Sequence, residues 1–195
     1  MIFLFHLSNL HIFSYMKFIQ TGFESLVEII PAIWNDERGY FFEAYHLEKF
    51  KTEGISTQFV QSNQSFSKKG VVRGLHFQFP PFEQAKLVRA LTGKILDVVV
   101  DIRRESKTYG QHYKCLLDSN KGNMLFVPRG FAHGFVALED SLFEYVCDNV
   151  YHKDSERGII WNDKTLNIDW EISNPVISEK DVQLPTFEEF NKITR

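Results

Sequence analysis

Short strand-like runs between turn residues are the feature that most constrains the fold of this chain. In the clearest run, residues 93–103, the apolar residues Leu96, Val98, Val100 and Ile102 alternate with a second set that points the opposite way. Alternation with a period of two is typical of a β-strand. Further runs of this kind occupy residues 86–91, 125–127, 134–138 and 142–147. Six or more short strands with few helical patterns predict an all-β sandwich or barrel.

Helical patterns are few and short. Residues 45–53 fit two helical turns ended by Gly54, and residues 186–191 follow Pro185 as a short capped helix. Residues 17–20 instead predict an edge strand. We therefore expect a few short helices at the periphery of the β-structure.

The composition indicates one globular domain. The chain has 195 residues, of which 44% are hydrophobic and 24% charged, and no linker, charge block or repeat divides it. The net charge of −3 argues against a nucleic-acid partner. An anionic ligand would then be held by a local cluster of basic groups.

The first fifteen residues are apolar and aromatic. They lack the basic region and the small-residue cleavage site of a signal peptide, and they are too short to span a bilayer. We expect residues 1–15 to be an N-terminal extension, either disordered or the product of an upstream start codon. Residues 16–195 are then a single domain, and no membrane association is expected.

The cysteine and phenylalanine content bears on compartment and assembly. The two cysteines, Cys115 and Cys147, do not form a Cys-x-x-Cys pair, so we expect both to be reduced, as in the cytoplasm. Nineteen phenylalanines are a surplus for one small domain, and this surplus predicts a buried homodimer interface.

Two glycine-framed strand patterns each carry a histidine, and a lysine lies between them. His76 lies within residues 70–78, His133 lies within residues 122–135, and Lys86 separates them. A histidine titrates near neutral pH, so it can take a proton and return it. A lysine ammonium can stabilise negative charge that develops on an oxygen. The combination predicts proton abstraction beside a carbonyl group.

The spacing of these residues resembles the two motifs of the cupin family. Gly70, His76, Gln78 and Glu83 match the first motif, and residues 122–133 match the second. The resemblance implies a cupin-type jelly-roll barrel, in agreement with the strand count.

Many cupins bind a transition metal, and the position of Gln78 argues against one here. Gln78 stands where such cupins have a second histidine, and a neutral amide is a poor replacement for an imidazole. We therefore expect no metal. A metal-dependent oxygenase or isomerase that uses His76, Glu83 and His133 remains an alternative.

A narrower resemblance is to the dTDP-4-dehydrorhamnose 3,5-epimerase family. The matching motifs occupy residues 61–63, 70–78, 84–88, 97–103, 130–135 and 161–163, with residues 106–110 and 178–181 in addition. The similarity runs from about Met16 to Pro185. It implies a cofactor-free isomerase that inverts C3 and C5 of dTDP-4-dehydro-6-deoxy-D-glucose. The product would be dTDP-4-dehydro-L-rhamnose, a source of rhamnose for the cell envelope.

Inversion beside a ketone needs a base, an acid on the opposite face and a partner for the enolate oxygen. The resemblance implies that His76 is the base and that Asp181 orients its imidazole. It implies that Lys86 faces the ketone oxygen and that Tyr145 is the acid. The plain alternatives are a core histidine, a helix cap or surface acid, a surface lysine and a core tyrosine.

The resemblance also implies residues that bind the sugar nucleotide. Arg73 and Arg38 would bind the diphosphate, because a guanidinium group can donate two parallel hydrogen bonds to phosphate oxygens. Arg38 and Glu43 would reach the ligand of the partner subunit in a homodimer, and Tyr151 would stack on thymine. The other matches to binding positions are Gln61, Ser62, Asn63, His133, Glu156 and Lys180.

Three further alternatives stay open at this point. Relatives within the family invert C3 alone or move the ketone, and the same base serves those reactions. A sugar-nucleotide-binding barrel without catalysis is the third, although the joint presence of His76, Lys86, Tyr145 and Asp181 argues against it.

Overall fold

The computed structural model of the chain describes residues 15–193, so the predicted extension lies outside the described residues except for Tyr15. The strands are β1 (Lys17–Gln20), β2 (Val27–Ile30), β3 (Trp34–Asp36), β4 (Gly39–Phe41), β5 (Gln61–Ser67), β6 (Val72–Gln78), β7 (Lys86–Thr92), β8 (Lys94–Asp101), β9 (His112–Asp118), β10 (Met124–Val127), β11 (Phe131–Ala137), β12 (Ser141–Cys147) and β13 (Glu156–Gly158). The helices are α1 (Leu47–Thr52), α2 (Glu179–Val182) and α3 (Phe187–Ile193), with one 3-10 turn at Lys153–Ser155.

Two antiparallel sheets form the body of the fold. The six-stranded sheet has the order β1-β2-β10-β7-β12-β5, and the five-stranded sheet has the order β13-β6-β11-β8-β9. Strands β3 and β4 pair only with each other, as a separate hairpin. The predicted all-β, cupin-type sandwich with few short helices is confirmed.

Strand β8 is buried on both faces, which explains its continuous apolar character. Its predicted face of Leu96, Val98 and Val100 packs in one apolar cluster, and Ile95 and Val99 pack in another. The second cluster fills the space between the two sheets. The alternation was therefore read correctly, but both of its faces belong to the core.

Two outer layers cover the sandwich. Leu166, Trp170 and Phe190, from the C-terminal part of the chain, cover the outer face of the five-stranded sheet. Phe50 of α1 packs on the outer face of the six-stranded sheet. It is fully buried, and a phenylalanine buried in this way contributes about 1.5–3 kcal/mol to folding.

Helices α1 and α3 lie at the two helical patterns of the sequence, although α3 extends to Ile193, and α2 was not predicted. Helix α1 is followed by Gly54, whose φ of +84° suits a residue without a side chain. The α3 start is capped reciprocally, because Thr186 Oγ1 accepts from the Glu189 amide while Glu189 Oε2 accepts from the Thr186 amide. Within residues 15–193, no helix has the length and apolar character needed to cross a membrane.

Strands β6 and β11 approach each other very closely at two glycines. A Cβ atom on Gly74 would lie 2.5 Å from the Gly134 Cα, and one on Gly134 would lie 2.6 Å from the Arg73 carbonyl oxygen. The pairing of these strands shifts register beside Gly134, and on one side of the shift His76 is paired with His133. The close approach therefore sets the two histidines next to each other.

Candidate active site

A cavity of about 560 Å³ lies between the two sheets. His76 and His133 line it from the five-stranded sheet, and Lys86 and Tyr145 line it from the six-stranded sheet. Asp181, from α2, lines it as well. All four residues that the resemblance marks as catalytic therefore border one cavity.

His76 and Asp181 form an imidazole–carboxylate pair. His76 Nε2 lies 2.7 Å from Asp181 Oδ1, and Asp181 is buried while the His76 side chain is 31% exposed. His76 Nδ1 has no hydrogen-bond partner among residues 15–193. Burial opposes ionisation of Asp181, but the contact with His76 and the backbone amide of Gly74 hold the pKa of Asp181 below its usual value.

The C-terminal segment brings Asp181 to the site. Val176 forms a parallel bridge with Val71, so this segment runs beside the start of β6. Ser178 then caps α2, and its Oγ accepts a hydrogen bond from the Asp181 amide at 3.1 Å. Asp181 Oδ2 in turn accepts from the Gly74 amide at 3.2 Å. The carboxylate is thus fixed from its own helix and from β6.

Lys86 faces this pair from the opposite sheet. Its ammonium lies 5.8 Å from the centre of the Tyr145 ring and makes no ion pair within the described part of the chain. Burial lowers the pKa of Lys86, and the charges of Cys147, Asp97 and Glu156 act in the opposite direction. An ammonium without a close partner in a cavity is ready to bind an anionic or carbonyl oxygen.

Tyr145 stands beside Lys86 on the same sheet. It pairs with Val88 of β7 and with Asn63 of β5, and its ring packs against Phe143. Burial raises the pKa of Tyr145, so its hydroxyl stays protonated at neutral pH. That hydroxyl makes no hydrogen bond to any residue that the structure describes.

A second imidazole–carboxylate pair borders the cavity. His133 Nε2 lies 2.8 Å from Asp97 Oδ2, and both residues are buried. The Asp97 Oδ1 atom is buried without a hydrogen-bond partner. His133 lies in β11 itself, and not in the turn before that strand.

The other predicted binding residues form a linked group next to the cavity. Lys180 lines the cavity, and its Nζ lies 2.7 Å from Glu156 Oε2, which also accepts from the Tyr151 hydroxyl at 2.8 Å. The Tyr151 amide donates to Gln61 Oε1 at 2.8 Å, and Gln61 Nε2 donates to Asn63 Oδ1 at 3.0 Å.

Charge pairing within this group shifts the pKa values of its members. The pKa of Lys180 is raised by Glu156. Burial opposes ionisation of Glu156, but Lys180 and Tyr151 hold its pKa below the usual range. The Tyr151 ring is half exposed, which leaves its face open to a planar ligand.

Arg73 lines the cavity, and hydrogen bonds engage part of its guanidinium group. Its Nε donates to Ser67 Oγ at 3.0 Å and its Nη2 donates to the Phe66 carbonyl oxygen at 3.2 Å. Both partners are on β5, the edge strand of the other sheet. The guanidinium is therefore oriented and still has donors left for an anion.

Three predicted binding residues lie away from this cavity. Ser62 is exposed on the face of β5 opposite to Gln61 and Asn63. Arg38 lies in the β3–β4 turn, where it pairs with Asp36 at 2.6 Å, and Glu43 pairs with Lys49 at 2.7 Å. Within one chain, the structure does not bring these three together with His76.

The residues of the alternative metal set are separated. His76 and His133 line the cavity, whereas Glu83 lines a different one. Gln78 is tied to the backbone, since its Nε2 donates to the Phe82 carbonyl and its Oε1 accepts from the His152 amide. Among residues 15–193, no three His, Cys, Asp or Glu side chains are grouped to hold a metal ion.

Sequence reasoning missed two polar residues at this site. Asp97 was assigned to a strand and to a motif of the family but was given no role, although a carboxylate at an inward position of an apolar strand is itself a signal. Ser65 lines the cavity with a buried hydroxyl that has no partner, and it shares strand parity with Gln61 and Asn63.

Comparison with known proteins identifies a matching family. The sequence profile of the dTDP-4-dehydrorhamnose 3,5-epimerase family matches residues 20–189. A protein of that name from Shigella flexneri is 43% identical over 169 residues, which cover 86% of this chain and 93% of that protein.

Two solved structures show the same similarity. The dTDP-4-dehydrorhamnose 3,5-epimerase of Elizabethkingia anophelis has a TM-score of 0.87 and 44% identity, and the match covers 91% of this chain and 99% of that one. The dTDP-6-deoxy-D-glucose 3,5-epimerase of Legionella pneumophila, solved with dTDP-4-keto-L-rhamnose, has a TM-score of 0.86 and 40% identity over 89% of this chain and 94% of that one.

The fold, the cavity and these relatives together define a cupin-type isomerase that acts on a nucleotide-linked carbohydrate. The predicted enzyme class is confirmed. The chain belongs to the dTDP-4-dehydrorhamnose 3,5-epimerase family.

Proposed function

We propose that this chain inverts C3 and C5 of dTDP-4-dehydro-6-deoxy-D-glucose, giving dTDP-4-dehydro-L-rhamnose, with amino-acid side chains as the catalytic groups. The observation that carries the proposal is the convergence of His76, Lys86, Tyr145 and Asp181 on one cavity. Three of their polar atoms, His76 Nδ1, Lys86 Nζ and Tyr145 Oη, have no partner within residues 15–193. A base, an oxyanion partner and an acid are what this reaction requires.

His76 is the proposed base. Asp181 occupies its Nε2 at 2.7 Å, so Nδ1 is the nitrogen left to accept a proton from C3 or C5 of the sugar. Once His76 is protonated, the buried carboxylate of Asp181 stabilises the imidazolium, as in other His–Asp pairs.

Lys86 is the proposed partner of the ketone oxygen. Removal of either neighbouring proton moves negative charge onto that oxygen, and an ammonium in a desolvated cavity stabilises it. Its lowered pKa leaves Lys86 a stronger acid than an ordinary lysine, which matches it better to an enolate.

Tyr145 is the proposed acid on the other face. His76 and Tyr145 belong to opposite sheets, so a hexose between them presents one ring face to each. A proton that leaves toward His76 is then replaced from the Tyr145 hydroxyl, and the centre inverts. The raised pKa of Tyr145 keeps that hydroxyl protonated until the enolate forms.

The nucleotide would lie next to the cavity, along the linked polar group. Arg73 and Lys180 line the cavity, as Lys86 does, and would bind the diphosphate. Tyr151 would stack on thymine. The other members of the proposed binding set are Gln61, Ser62, Asn63, His133 and Glu156.

Arg38 and Glu43 would complete the site from a second copy in a homodimer. The β3–β4 hairpin beside them exposes Trp34, Tyr40 and Phe41 by 50%, 65% and 68%. Three adjacent exposed aromatic side chains on a hairpin are typical of a surface that another chain covers.

We also infer that residues 16–195 are the functional domain and that it works in the cytoplasm. Cys115 and Cys147 are both free and buried, as suits a reducing compartment.

The domain boundary is tested by truncation. A chain that begins at Met16 should keep the turnover of the full chain, and a loss of turnover would contradict this boundary.

The test is incubation with dTDP-4-dehydro-6-deoxy-D-glucose in heavy water, followed by NMR. Deuterium at both C3 and C5 is the expected result. Deuterium at C3 alone would assign the chain to the C3-only branch of the family. Tight binding without any exchange would identify a binding protein and overturn the proposed reaction.

A further inference from the structure

Gln78 is a buried polar residue that the mechanism above does not use. It ends β6, two residues after His76, and it is 7% exposed. It lines a smaller cavity of about 210 Å³, which Glu83 also lines, and not the cavity that His76 lines. Burying an amide is costly for folding unless its polar atoms are paired. The partners of this amide therefore indicate what it does.

The Gln78 amide group bonds to the backbone on both sides of Tyr151. Its Nε2 donates to the Val150 carbonyl oxygen at 3.2 Å, and its Oε1 accepts from the His152 amide at 2.6 Å. Nε2 also donates to the Phe82 carbonyl oxygen at 2.6 Å. One side chain thus holds the residue before Tyr151 and the residue after it, from 72 and 74 positions away in the sequence.

Tyr151 needs such support because of where it lies. It belongs to the loop between β12 and the 3-10 turn, and it is 53% exposed. An exposed ring on a loop is mobile unless its backbone is held, and ordering it when a ligand binds lowers the affinity. The hydrogen bonds of Gln78 make that ordering before the ligand arrives.

Gln78 also lies beside the residue that holds the Tyr151 hydroxyl. It is the antiparallel partner of Glu156 in β13, and Glu156 Oε2 accepts from the Tyr151 hydroxyl at 2.8 Å. The backbone and the hydroxyl of Tyr151 are therefore both tied to the end of β6. That end is two residues from His76, so β6 connects the proposed nucleotide site with the proposed base.

We propose that Gln78 is a positioning residue, which holds Tyr151 so that its ring is already oriented to stack on the base of the bound nucleotide. It acts through hydrogen bonds to the backbone and does not touch the ligand. This assignment rests on the proposed function, because it takes Tyr151 as the residue that stacks on thymine. Gln78 then governs nucleotide affinity and leaves the proton-transfer groups unchanged.

The first test uses the unmodified protein without a ligand. Because Gln78 Oε1 holds the His152 amide, that amide should exchange with deuterium at least about tenfold more slowly than an unprotected amide. Gln78→Met should remove this protection. Hydrogen exchange followed by NMR measures both. Fast exchange in the unmodified protein would overturn the assignment without any variant.

The second test measures binding of dTDP alone by calorimetry. Gln78→Met keeps the length of the side chain and removes its hydrogen bonds. We expect the Kd of dTDP to rise by about fivefold to tenfold, with kcat for the sugar nucleotide changed less than about twofold. A fall in kcat with the Kd unchanged would overturn the positioning role.

Asn123→Leu is the matched control, because Asn123 holds the backbone of another loop in the same way. Its Oδ1 accepts from the Asp118 amide at 3.0 Å, and its Nδ2 donates to the Leu116 carbonyl oxygen at 2.9 Å. This change should alter the Kd of dTDP and kcat less than about twofold. A rise in Kd equal to that of Gln78→Met would make the effect a general loss of stability and overturn the assignment.

A double variant tests whether Gln78 acts through Tyr151. Tyr151→Ala should raise the Kd of dTDP by about tenfold, as expected for the loss of one stacked ring. Adding Gln78→Met should then raise it less than about twofold further, because no ring remains to be oriented. Additive effects of the two changes would overturn the positioning role. Circular dichroism confirms that each variant is folded.

The outcomes also separate this inference from the proposed function. If the unmodified protein inverts the sugar and Gln78→Met binds dTDP as tightly as it does, the function stands and the role of Gln78 is overturned. If the unmodified protein exchanges no sugar proton, the proposed reaction fails, and the Kd of dTDP still decides the role of Gln78. Unchanged dTDP binding in Tyr151→Ala would overturn both the thymine contact and this inference.

Discussion

His76 and Tyr145, the proposed base and acid, are each held on one side and keep one polar atom without a partner among residues 15–193. Asp181 holds His76 at Nε2, and the strand pairing of β12 with β7 and β5 holds Tyr145. The atoms without a partner among these residues are His76 Nδ1 and Tyr145 Oη, and both side chains line the cavity. Because the held ends are fixed by buried contacts, the free atoms are oriented before a ligand arrives, which is the main requirement for positioning a reacting group.

Replacing His76 should strongly slow proton exchange at both carbons. We expect His76→Asn to slow exchange at C3 and C5 by about 10²–10⁴-fold, because general-base catalysis contributes that much. NMR in heavy water measures it. His112→Asn changes a histidine outside the cavity and should leave exchange unaltered; exchange in His76→Asn at the rate of the unmodified protein would remove His76 as the base.

Removing Lys86 should trade activity for stability. The half-buried ammonium has no ion-pair partner within residues 15–193 and disfavours the folded state, so Lys86→Met should raise the free energy of unfolding by about 1 kcal/mol at neutral pH while exchange is lost. Chemical denaturation measures the gain. Lys94→Met, which removes an exposed lysine paired with Glu139, is the control and should show no gain.

The same lysine sets a pH dependence with opposite signs for activity and stability. Because the folded pKa of Lys86 lies below 10.5, the folded chain loses this proton first as the pH rises. Between the two pKa values the unfolded chain binds more protons, so stability rises with pH, and the advantage of Lys86→Met shrinks.

Activity should fall over that same pH range. We expect the alkaline limb of kcat/KM to lie below pH 10.5 and to report Lys86, since the pKa of Tyr145 is raised above its usual value. A pH–rate profile measures it. An alkaline limb that persists unchanged in Lys86→Arg would contradict the assignment.

At the scale of elements, the close contact of β6 and β11 places the two histidines. A Cβ on Gly134 would lie 2.6 Å from the Arg73 carbonyl oxygen and 3.1 Å from the Gly74 Cα. Backbone atoms cannot yield as a flexible side chain does, so any side chain here moves one strand against the other.

Gly134→Ala should therefore cost both stability and alignment. We expect a loss of about 1–3 kcal/mol in the free energy of unfolding, and exchange slowed beyond what the stability loss explains. Val136→Ala, two residues along the same strand in the outer cluster, is a control with a comparable loss of stability. Equal exchange in both variants would show that the close approach does not align the site.

The β3–β4 hairpin should form the interface of the proposed homodimer. We expect the double variant Trp34→Ser, Phe41→Ser to convert a dimer to a monomer in light scattering, because both side chains are at least half exposed in the single chain. Val60→Ser, an exposed valine outside the hairpin, is the control. A hairpin variant that stays dimeric would place the interface elsewhere.

At the scale of the whole molecule, local patterns predicted more than long-range contacts did. Strand alternation puts Lys86 on the same face of β7 as Val88 and Tyr145 on the same face of β12 as Phe143, because parity along a strand is a local property. The contact between His76 and Asp181 joins residues 105 positions apart and depends on how the C-terminal segment returns along β6. Only the family resemblance could anticipate it.

Other parts of the site could not be read from a single sequence. The pairing of Asp97 with His133 depends on the neighbour relation of β8 and β11, which no local pattern specifies. Ser62 was grouped with Gln61 and Asn63, yet alternation along β5 turns it to the opposite face. A short polar motif shows which residues are close in sequence, and the strand geometry decides which of them share a site.

The most direct test of the central claim is a crystal structure with dTDP-L-rhamnose, in which a hydroxyl replaces the ketone at C4. We expect the hexose between the sheets, its O4 within about 3.2 Å of Lys86 Nζ, and the C3 and C5 positions facing His76 Nδ1 on one side and Tyr145 on the other. A hexose bound outside the cavity, or an O4 that contacts other groups while Lys86 stays free, would contradict the account.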